Sequence, residues 1–276
     1  MTSVAIIGFG EAGQAFAEGA EWRAAARVFD IATLAAPSTA AKRADYAHAG
    51  VQGCDSLADA LSTADIVLCL VTADQALAAA RAAAPLLPPG ALWCDMNSVA
   101  PATKRAAAAA VTAAGGRYLD VAVMAPVLPA RRAVPLCLAG PDVAAGGAAL
   151  AALGFSNRRC LAGEVGAAAA VKMLRSVIIK GIEALTAEAF VGARRAGVVD
   201  DLLAALGDDW RPRSDYNLDR MMVHGARRAA EMDEVVATLA ALGLDPAMSR
   251  ATANWQRALA RGAAPAGLTA KLEQLA

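Results

Sequence analysis

Histidine is nearly absent: only His48 and His224 occur in 276 residues. The five cysteines, at 54, 69, 94, 137 and 160, are widely spread and form no C-x-x-C. No spacing therefore suits a zinc site or a disulfide framework, no metal is expected, and a reducing compartment, the cytoplasm, is. Neither charge is in excess. Twenty-six basic residues balance 26 acidic ones, so no basic stripe exists to follow a phosphate backbone, and nucleic acid is not an expected partner. No stretch reaches the ~18 uninterrupted, strongly apolar residues of a membrane span. The start lacks a basic segment followed by an apolar run and a cleavage site. The expectation is a soluble protein with no membrane partner.

What the chain does have is apolar residues, 57% against 19% charged, which is enough for buried cores and speaks against disorder. Much of that share is alanine, which favours helix but buries little surface, so helices are easier to read here than cores. The first half alternates. Val4–Gly8, Arg27–Phe29, Ile66–Val71, Leu92–Asp95, Arg117–Asp120 and Leu136–Ala139 read as strands. Ala12–Trp22, Leu57–Leu61, Gln75–Leu86 and Ala102–Ala114 have helical spacing. That alternation predicts a doubly wound, Rossmann-type parallel sheet. Near Gly163 the pattern changes. A helical stretch runs from Val165 to about Ala196, and further helices follow, broken at Gly207–Pro212, Gly243–Pro246 and Gly262–Pro265. The expected organisation is a nucleotide-binding domain over 1–163 and an all-helical domain over 164–276.

The segment VAIIGFGEAG places Gly8, Gly10 and Gly13 in a G-x-G-x-x-G spacing, directly after a strand and at the opening of a helix. In that context the motif is a dinucleotide clamp: the first glycine allows a tight turn, the second lets the backbone approach a pyrophosphate, and the third lets helix pack on strand. Gly8, Phe9, Gly10, Glu11, Ala12 and Gly13 are the candidate phosphate-contacting residues. Asp30 ends the second strand, where a carboxylate accepts from both ribose hydroxyls and repels a 2′-phosphate. NAD is the expected cofactor, with NADP as the alternative; for Asp30 a helix-capping role is the competing reading.

The segment GEVGAAAAVKMLRSVIIKGIEAL sets Gly166 six residues before Lys172, at the start of the long helix. This resembles the β-hydroxyacid dehydrogenases, the family of 3-hydroxyisobutyrate and 6-phosphogluconate dehydrogenases, in which a lysine at this place is the catalytic acid/base. GFGEAGQAFA is similar to that family's glycine loop. LCLVTADQA resembles the strand and loop beside the cofactor, and this implies cofactor contacts from Val71 and Thr72. DMNSVAPATK resembles an Asp-x-Ser-Thr-x-x-Pro stretch, with Asn97 and Ser98 in the loop and Asn97 toward the cofactor. YLDVAVMAPV resembles the family's Asp-Ala-Pro-Val-Ser-Gly-Gly stretch, which implies substrate contacts from Val123, Met124 and Ala125. The chain departs from the family at Met124-Ala125-Pro126, where Ser-Gly-Gly holds a substrate carboxylate, and at Arg175 and Ser176, where asparagines are usual. The combination resembles a divergent branch, phosphogluconate-dehydrogenase-like oxidoreductases whose substrate is unassigned.

The resemblance implies hydride transfer between nicotinamide and a small hydroxy acid or related carbonyl compound, with Lys172 as general acid/base. A lysine serves when burial or a neighbouring cation brings its pKa toward neutrality. Lys172, Arg175, Ser176 and Ile179 share one helix stripe, so Arg175 and Ser176 are candidate contacts for an anionic substrate. Lys180 is expected to pair with Glu183. His224, Arg227, Arg228 and Glu231 share another helix side. By the resemblance, His224 is a further substrate contact; the competing reading is a surface of Arg–Glu pairs. The resemblance also implies a homodimer made through the helical domain. Two rivals stand beside this reading: an imine reductase-like enzyme, and a nucleotide-sensing protein without chemistry.

Overall fold

The computed structural model describes residues 2–275. The chain divides into two compact units, Met1–Lys172 and Met173–Ala276. The division falls inside the long helix, beyond the composition change near Gly163.

In the first unit one sheet is built from β1 (Val4–Ile7), β2 (Arg27–Phe29), β3 (Gln52–Gly53), β4 (Ile66–Cys69), β5 (Leu92–Asp95), β6 (Arg117–Val123), β7 (Leu136–Ala139) and β8 (Arg158–Cys160). Their spatial order is β3-β2-β1-β4-β5-β6-β7-β8. Every pairing is parallel except β6 with β7. The first six strands have the doubly wound order whose direction reverses between β1 and β4, the place where such sheets bind ligands. Both faces are covered. Val4, Ile6, Ile66, Leu68, Leu92 and Cys94 join one core, and Ala5, Ile7, Val67, Cys69 and Trp93 join the other. Successive strand side chains point to opposite faces, so a parallel sheet buried on both sides reads as a continuous apolar run. The covering helices are α1 (Glu11–Ala17), α2 (Ser38–Ala49), α3 (Leu57–Leu61), α4 (Ala76–Ala83), α5 (Pro101–Ala113) and α6 (Val143–Ala152).

The differences from the sequence reading have local causes. The helix expected over Ala12–Trp22 stops at Ala17. There the Arg132 guanidinium donates to the carbonyls of Phe16, Glu18 and Gly19 at 2.6, 2.7 and 3.1 Å, which ends the helix with a cation on its carbonyl end. α2 shows no apolar stripe because Tyr46 is its only buried residue. α6 contains Gly146 and Gly147, normally a sign against helix. A Cβ on Gly146 would stand 2.8 Å from the Leu119 side chain, so the glycine allows helix and sheet to touch. β3 and β8 are two and three residues long and carry too little pattern to be seen.

The second unit holds most of α7 (Ala167–Ala196), then α8 (Val199–Leu206), α9 (Trp210–Ala241), α10 (Ala247–Leu259) and α11 (Leu268–Leu275). Phe190, Leu203, Leu218, Met221, Leu259 and Leu272 form its main core, with Trp210 and Trp255 packed at the margin. Gly225 lies where α9 meets α10: a Cβ there would collide with the Gln256 carbonyl oxygen. No helix among the described residues is long and apolar enough to cross a membrane.

Candidate active site

β1 ends in the glycine loop, and each glycine has its own reason. Gly8 has φ +87°, and a Cβ on it would meet the Leu70 carbonyl oxygen at 2.6 Å. It lets the loop pass directly over the end of β4. A Cβ on Gly13 would stand 3.0 Å from the Gly8 carbonyl and from the Phe9 ring, so Gly13 seats α1 against the loop. Phe9 is buried and packs edge-on against Tyr46 of α2, at 5.4 Å between centroids. Gly10 caps α1 without a side-chain hydrogen bond, and a Cβ there would meet nothing within 4 Å. No contact among the described residues requires a glycine at that point. The open space over an uncapped helix start, with Glu11 and Ala12 beginning α1, is the cradle that a dinucleotide pyrophosphate fits.

Asp30 follows β2 and performs the capping role: Oδ1 accepts from the Ala32 amide at 2.9 Å. Its Oδ2 also accepts from the Phe9 amide at 2.7 Å. The residue thus fastens the glycine loop to the end of β2. Lys42, which sequence reasoning missed because α2 was not recognised, donates to the Phe9 carbonyl at 2.9 Å and pairs with Asp45 at 2.7 Å. The loop is held from both sides.

Val71 and Thr72 follow β4, and Asn97 and Ser98 follow β5. Asn97 is buried. Its side-chain amide donates to Asp95 Oδ1 at 2.8 Å and to Cys69 Sγ at 3.3 Å, and its backbone amide donates to the same Asp95 oxygen at 3.0 Å. Among the described residues Asn97 Oδ1 is buried without a hydrogen-bond partner, which fits an acceptor for a bound cofactor. Ser98 is half-buried and accepts a short hydrogen bond from Lys172 Nζ. The lysine singled out by the sequence therefore stands at the carboxyl edge of the sheet. Val123 and Met124 are half-buried at the end of β6, and Ala125 is exposed beyond them.

The start of α7 explains Gly166. Its φ is +101°, and a Cβ would stand 3.0 Å from Pro101 Cβ and 2.9 Å from the Arg105 guanidinium. Its amide and that of Ala169 both donate to Asp120 Oδ2, at 3.0 and 3.1 Å. Asp120 belongs to a buried group that the sequence did not reveal. Lys104 Nζ bonds to Asp95 Oδ1 at 2.9 Å and to the Asp95 carbonyl at 2.5 Å, and it lies 3.5 Å from Asp120 Oδ1. Tyr118 donates its hydroxyl to Asp95 Oδ2 at 2.6 Å. Burial and the adjacent Asp95 carboxylate push the Tyr118 hydroxyl far above the usual phenol range.

In the second unit Arg175 is exposed, with no hydrogen bond or ion pair among the described residues, and Ser176 and His224 are half-buried. The expected Lys180–Glu183 pair does not form. Lys180 bonds to Glu231 at 2.6 Å, because Glu183 is already taken by the Arg228 guanidinium through both its Nε and a terminal nitrogen, and by Gln256 at 2.8 Å. Arg228, expected on a surface, is buried. Burial lowers the Lys180 pKa, and Glu231 offsets part of that shift.

The geometry agrees with the comparisons. Residues 3–153 match the NAD binding domain of 6-phosphogluconate dehydrogenase. The chain belongs to the β-hydroxyacid dehydrogenase family. This dehydrogenase-family chain carries the nicotinamide-dinucleotide-binding domain of an NAD(P)-dependent oxidoreductase. Residues 193–259, within its helical part, match a domain of unknown function, DUF1932. A conserved hypothetical protein from Sinorhizobium meliloti 1021 is similar over 100% of this chain and 96% of its own, at 38% identity and a TM-score of 0.77. The Mycobacterium tuberculosis 3-hydroxyisobutyrate dehydrogenase, solved with L-serine, shares the fold over 100% of this chain and 99% of its own, at 21% identity and a TM-score of 0.75. A Streptomyces aurantiacus imine reductase shares it at 23% identity and a TM-score of 0.51, over 99% of each chain. No curated protein matches the chain.

Proposed function

We propose that the protein transfers a hydride between a nicotinamide dinucleotide and a small, anionic hydroxy acid or related carbonyl compound, with Lys172 as the proton donor and acceptor. The observation that carries this reading is the position of Lys172 at the carboxyl edge of the sheet, held against Ser98. Gly8, Phe9, Gly10, Glu11, Ala12, Gly13, Asp30, Val71, Thr72 and Asn97 would hold the cofactor. When bound, its nicotinamide supplies or accepts the hydride. Lys172 Nζ, uncharged, takes the proton of a substrate hydroxyl; charged, it returns a proton to a carbonyl oxygen. Val123, Met124, Ala125, Arg175, Ser176 and His224 are the proposed substrate contacts. The Asp30 carboxylate at the ribose position supports NAD over NADP. Five free thiols, four of them buried, suit a reducing compartment.

The test is turnover on a panel of hydroxy acids with NAD, together with NADH affinity, for the native protein and Lys172→Ala. Loss of a general acid/base lowers turnover by ~10²–10⁴-fold with the cofactor still bound; unchanged turnover would overturn the role. The panel includes a cyclic imine, because the fold is shared with an imine reductase. Imine reduction that survives Lys172→Ala would assign the chemistry to that class.

The homodimer is proposed from α7. Val171, Leu174, Ile178, Ile182 and Leu185 recur at helical spacing along its length and are all exposed, Ile178 by 62%. A continuous apolar stripe on a 30-residue helix is a surface made to be covered, and a second copy presents the same stripe.

A further inference from the structure

We infer that Asp120 is the positioning residue for Lys172, acting with Lys104 and Asp95 as one buried device that sets the lysine against Ser98. This rests on the acid/base reading of Lys172. Asp95 and Asp120 are register partners on the parallel strands β5 and β6. Two carboxylates side by side repel each other, and both are fully buried. Lys104 lies between them, itself buried, and offsets one of the two charges. Replacing such a group with apolar side chains is commonly neutral or stabilising, so its presence calls for a purpose beyond stability.

Its connections supply one. Asp95 Oδ1 holds both Asn97 nitrogens, and Lys104, from the first turns of α5, closes on the Asp95 carbonyl. The loop that presents Ser98 is therefore clamped at both ends. Asp120, one strand over, holds the start of α7 through the amides of Gly166 and Ala169. A single oxygen receives the amide of the residue before the helix and an amide of its first turn, which a capping box divides between two side chains. The charge also meets the positive end of a long helix. Ala169 is three residues before Lys172, so the anchor lies on the same helix face, about one turn below the catalytic nitrogen's Cα. One aspartate fixes the acceptor Ser98 and its neighbour fixes the donor Lys172. Lys104 ties the two aspartates together.

The experiment needs no substrate. Acylation of Lys172 by acetic anhydride is followed across pH by peptide mass spectrometry in the native protein, Ser98→Ala and Asp120→Asn. Ser98→Ala leaves the buried group intact and defines the behaviour of a lysine released from its partner. In Asp120→Asn the amide is mismatched either way round: its NH2 faces the helix amides or faces Lys104. The expected result is that Asp120→Asn reproduces Ser98→Ala, with Lys172 acylation at fixed pH rising about tenfold, the equivalent of one hydrogen bond to a charged group. If the melting temperature falls but the Lys172 profile stays native, Asp120 is a structural residue only and the inference is wrong. Should Asp120→Asn fail to fold, Asp120→Ala with Lys104→Met removes one charge of each sign and keeps the net buried charge unchanged, and the same criterion applies. Full turnover in Lys172→Ala would remove the acid/base reading without touching the acylation result, so the two failures are distinguishable.

Discussion

Two alanine substitutions two residues apart should act on different properties, one on stability and the other on cofactor affinity. At Gly8 an alanine Cβ would lie 2.6 Å from the Leu70 carbonyl oxygen and 2.9 Å from the Val71 nitrogen, both backbone atoms that cannot swing aside. The backbone there, at φ +87°, is itself unfavourable for an L-residue by ~1–2 kcal/mol. With the displacement of the β4 end added, Gly8→Ala should destabilise by roughly 3–4 kcal/mol. At Gly10 the backbone is extended and a Cβ meets nothing. Alanine is a poorer helix cap than glycine, but it lowers the entropy of the unfolded chain by a comparable ~0.4–1 kcal/mol, so the net change in stability is under about 1 kcal/mol. That Cβ would occupy the space through which a pyrophosphate approaches the loop amides. Losing one or two charge-assisted hydrogen bonds there should weaken NADH by roughly 10–100-fold. Thermal melting and an NADH fluorescence titration on both variants read the two axes separately. Native NADH affinity in Gly10→Ala would refute the assignment of the cradle, and a native melting temperature in Gly8→Ala would refute the packing argument.

The other predictions concern separate parts of the molecule. Ile178→Glu places a charge in the middle of the α7 stripe and should yield monomers by sedimentation equilibrium; a native protein that already sediments as a single chain would refute the dimer. Arg228→Leu leaves Glu183 buried without its ion-pair partner and should cost ~3–5 kcal/mol by denaturant titration. Burial raises the Cys69 and Cys94 thiols to about 12, so a thiol reagent at pH 8 should modify the exposed Cys160 and leave those two intact until the protein unfolds. Lys180 has its pKa lowered in the fold, so between that value and the ordinary 10.5 the unfolded chain binds more protons. Its contribution to stability then rises with pH through that window, and its cost is full below it. Lys180→Met with Glu231→Gln should flatten the alkaline limb of the melting curve.

The sheet was legible because buried parallel strands repeat one simple signal. β2, β5 and β7 lie where the apolar runs placed them. Elements that draw their stability from elsewhere were not legible. α2 buries one tyrosine, and α6 uses glycines to approach the sheet, so one lacks a stripe and the other reads as loop. In the candidate site the glycine loop could be read because backbone geometry dictates its glycines, and Lys172 because the segment around it resembles the family's lysine helix. Asp120, Lys104 and Lys42 could not. A charged residue is expected outside, and nothing along the chain indicates that a partner 9 or 46 positions away makes burial tolerable.

The lysines show where a compositional argument fails. Only five of 26 basic residues are lysine, and that scarcity suggests a lysine kept for its shiftable pKa. The structure gives the scarcity another cause. Lys104, Lys180 and Lys271 are buried, tied to Asp95 and Asp120, to Glu231, and to Asp215 and Asp219. Lys42 threads between α2 and the glycine loop. A compact ammonium on a slender stem fits between packed strands and helices, whereas a guanidinium fork needs planar room. Arginine, accordingly, takes most of the exposed pairs, to Asp55, Asp200, Asp209, Asp233 and Asp245. Rarity therefore says nothing about catalysis at Lys172. The residue is distinguished by its place: one turn above a carboxylate-anchored helix start, against a serine on the loop that leaves β5, at the edge of the sheet where the doubly wound order brings a dinucleotide.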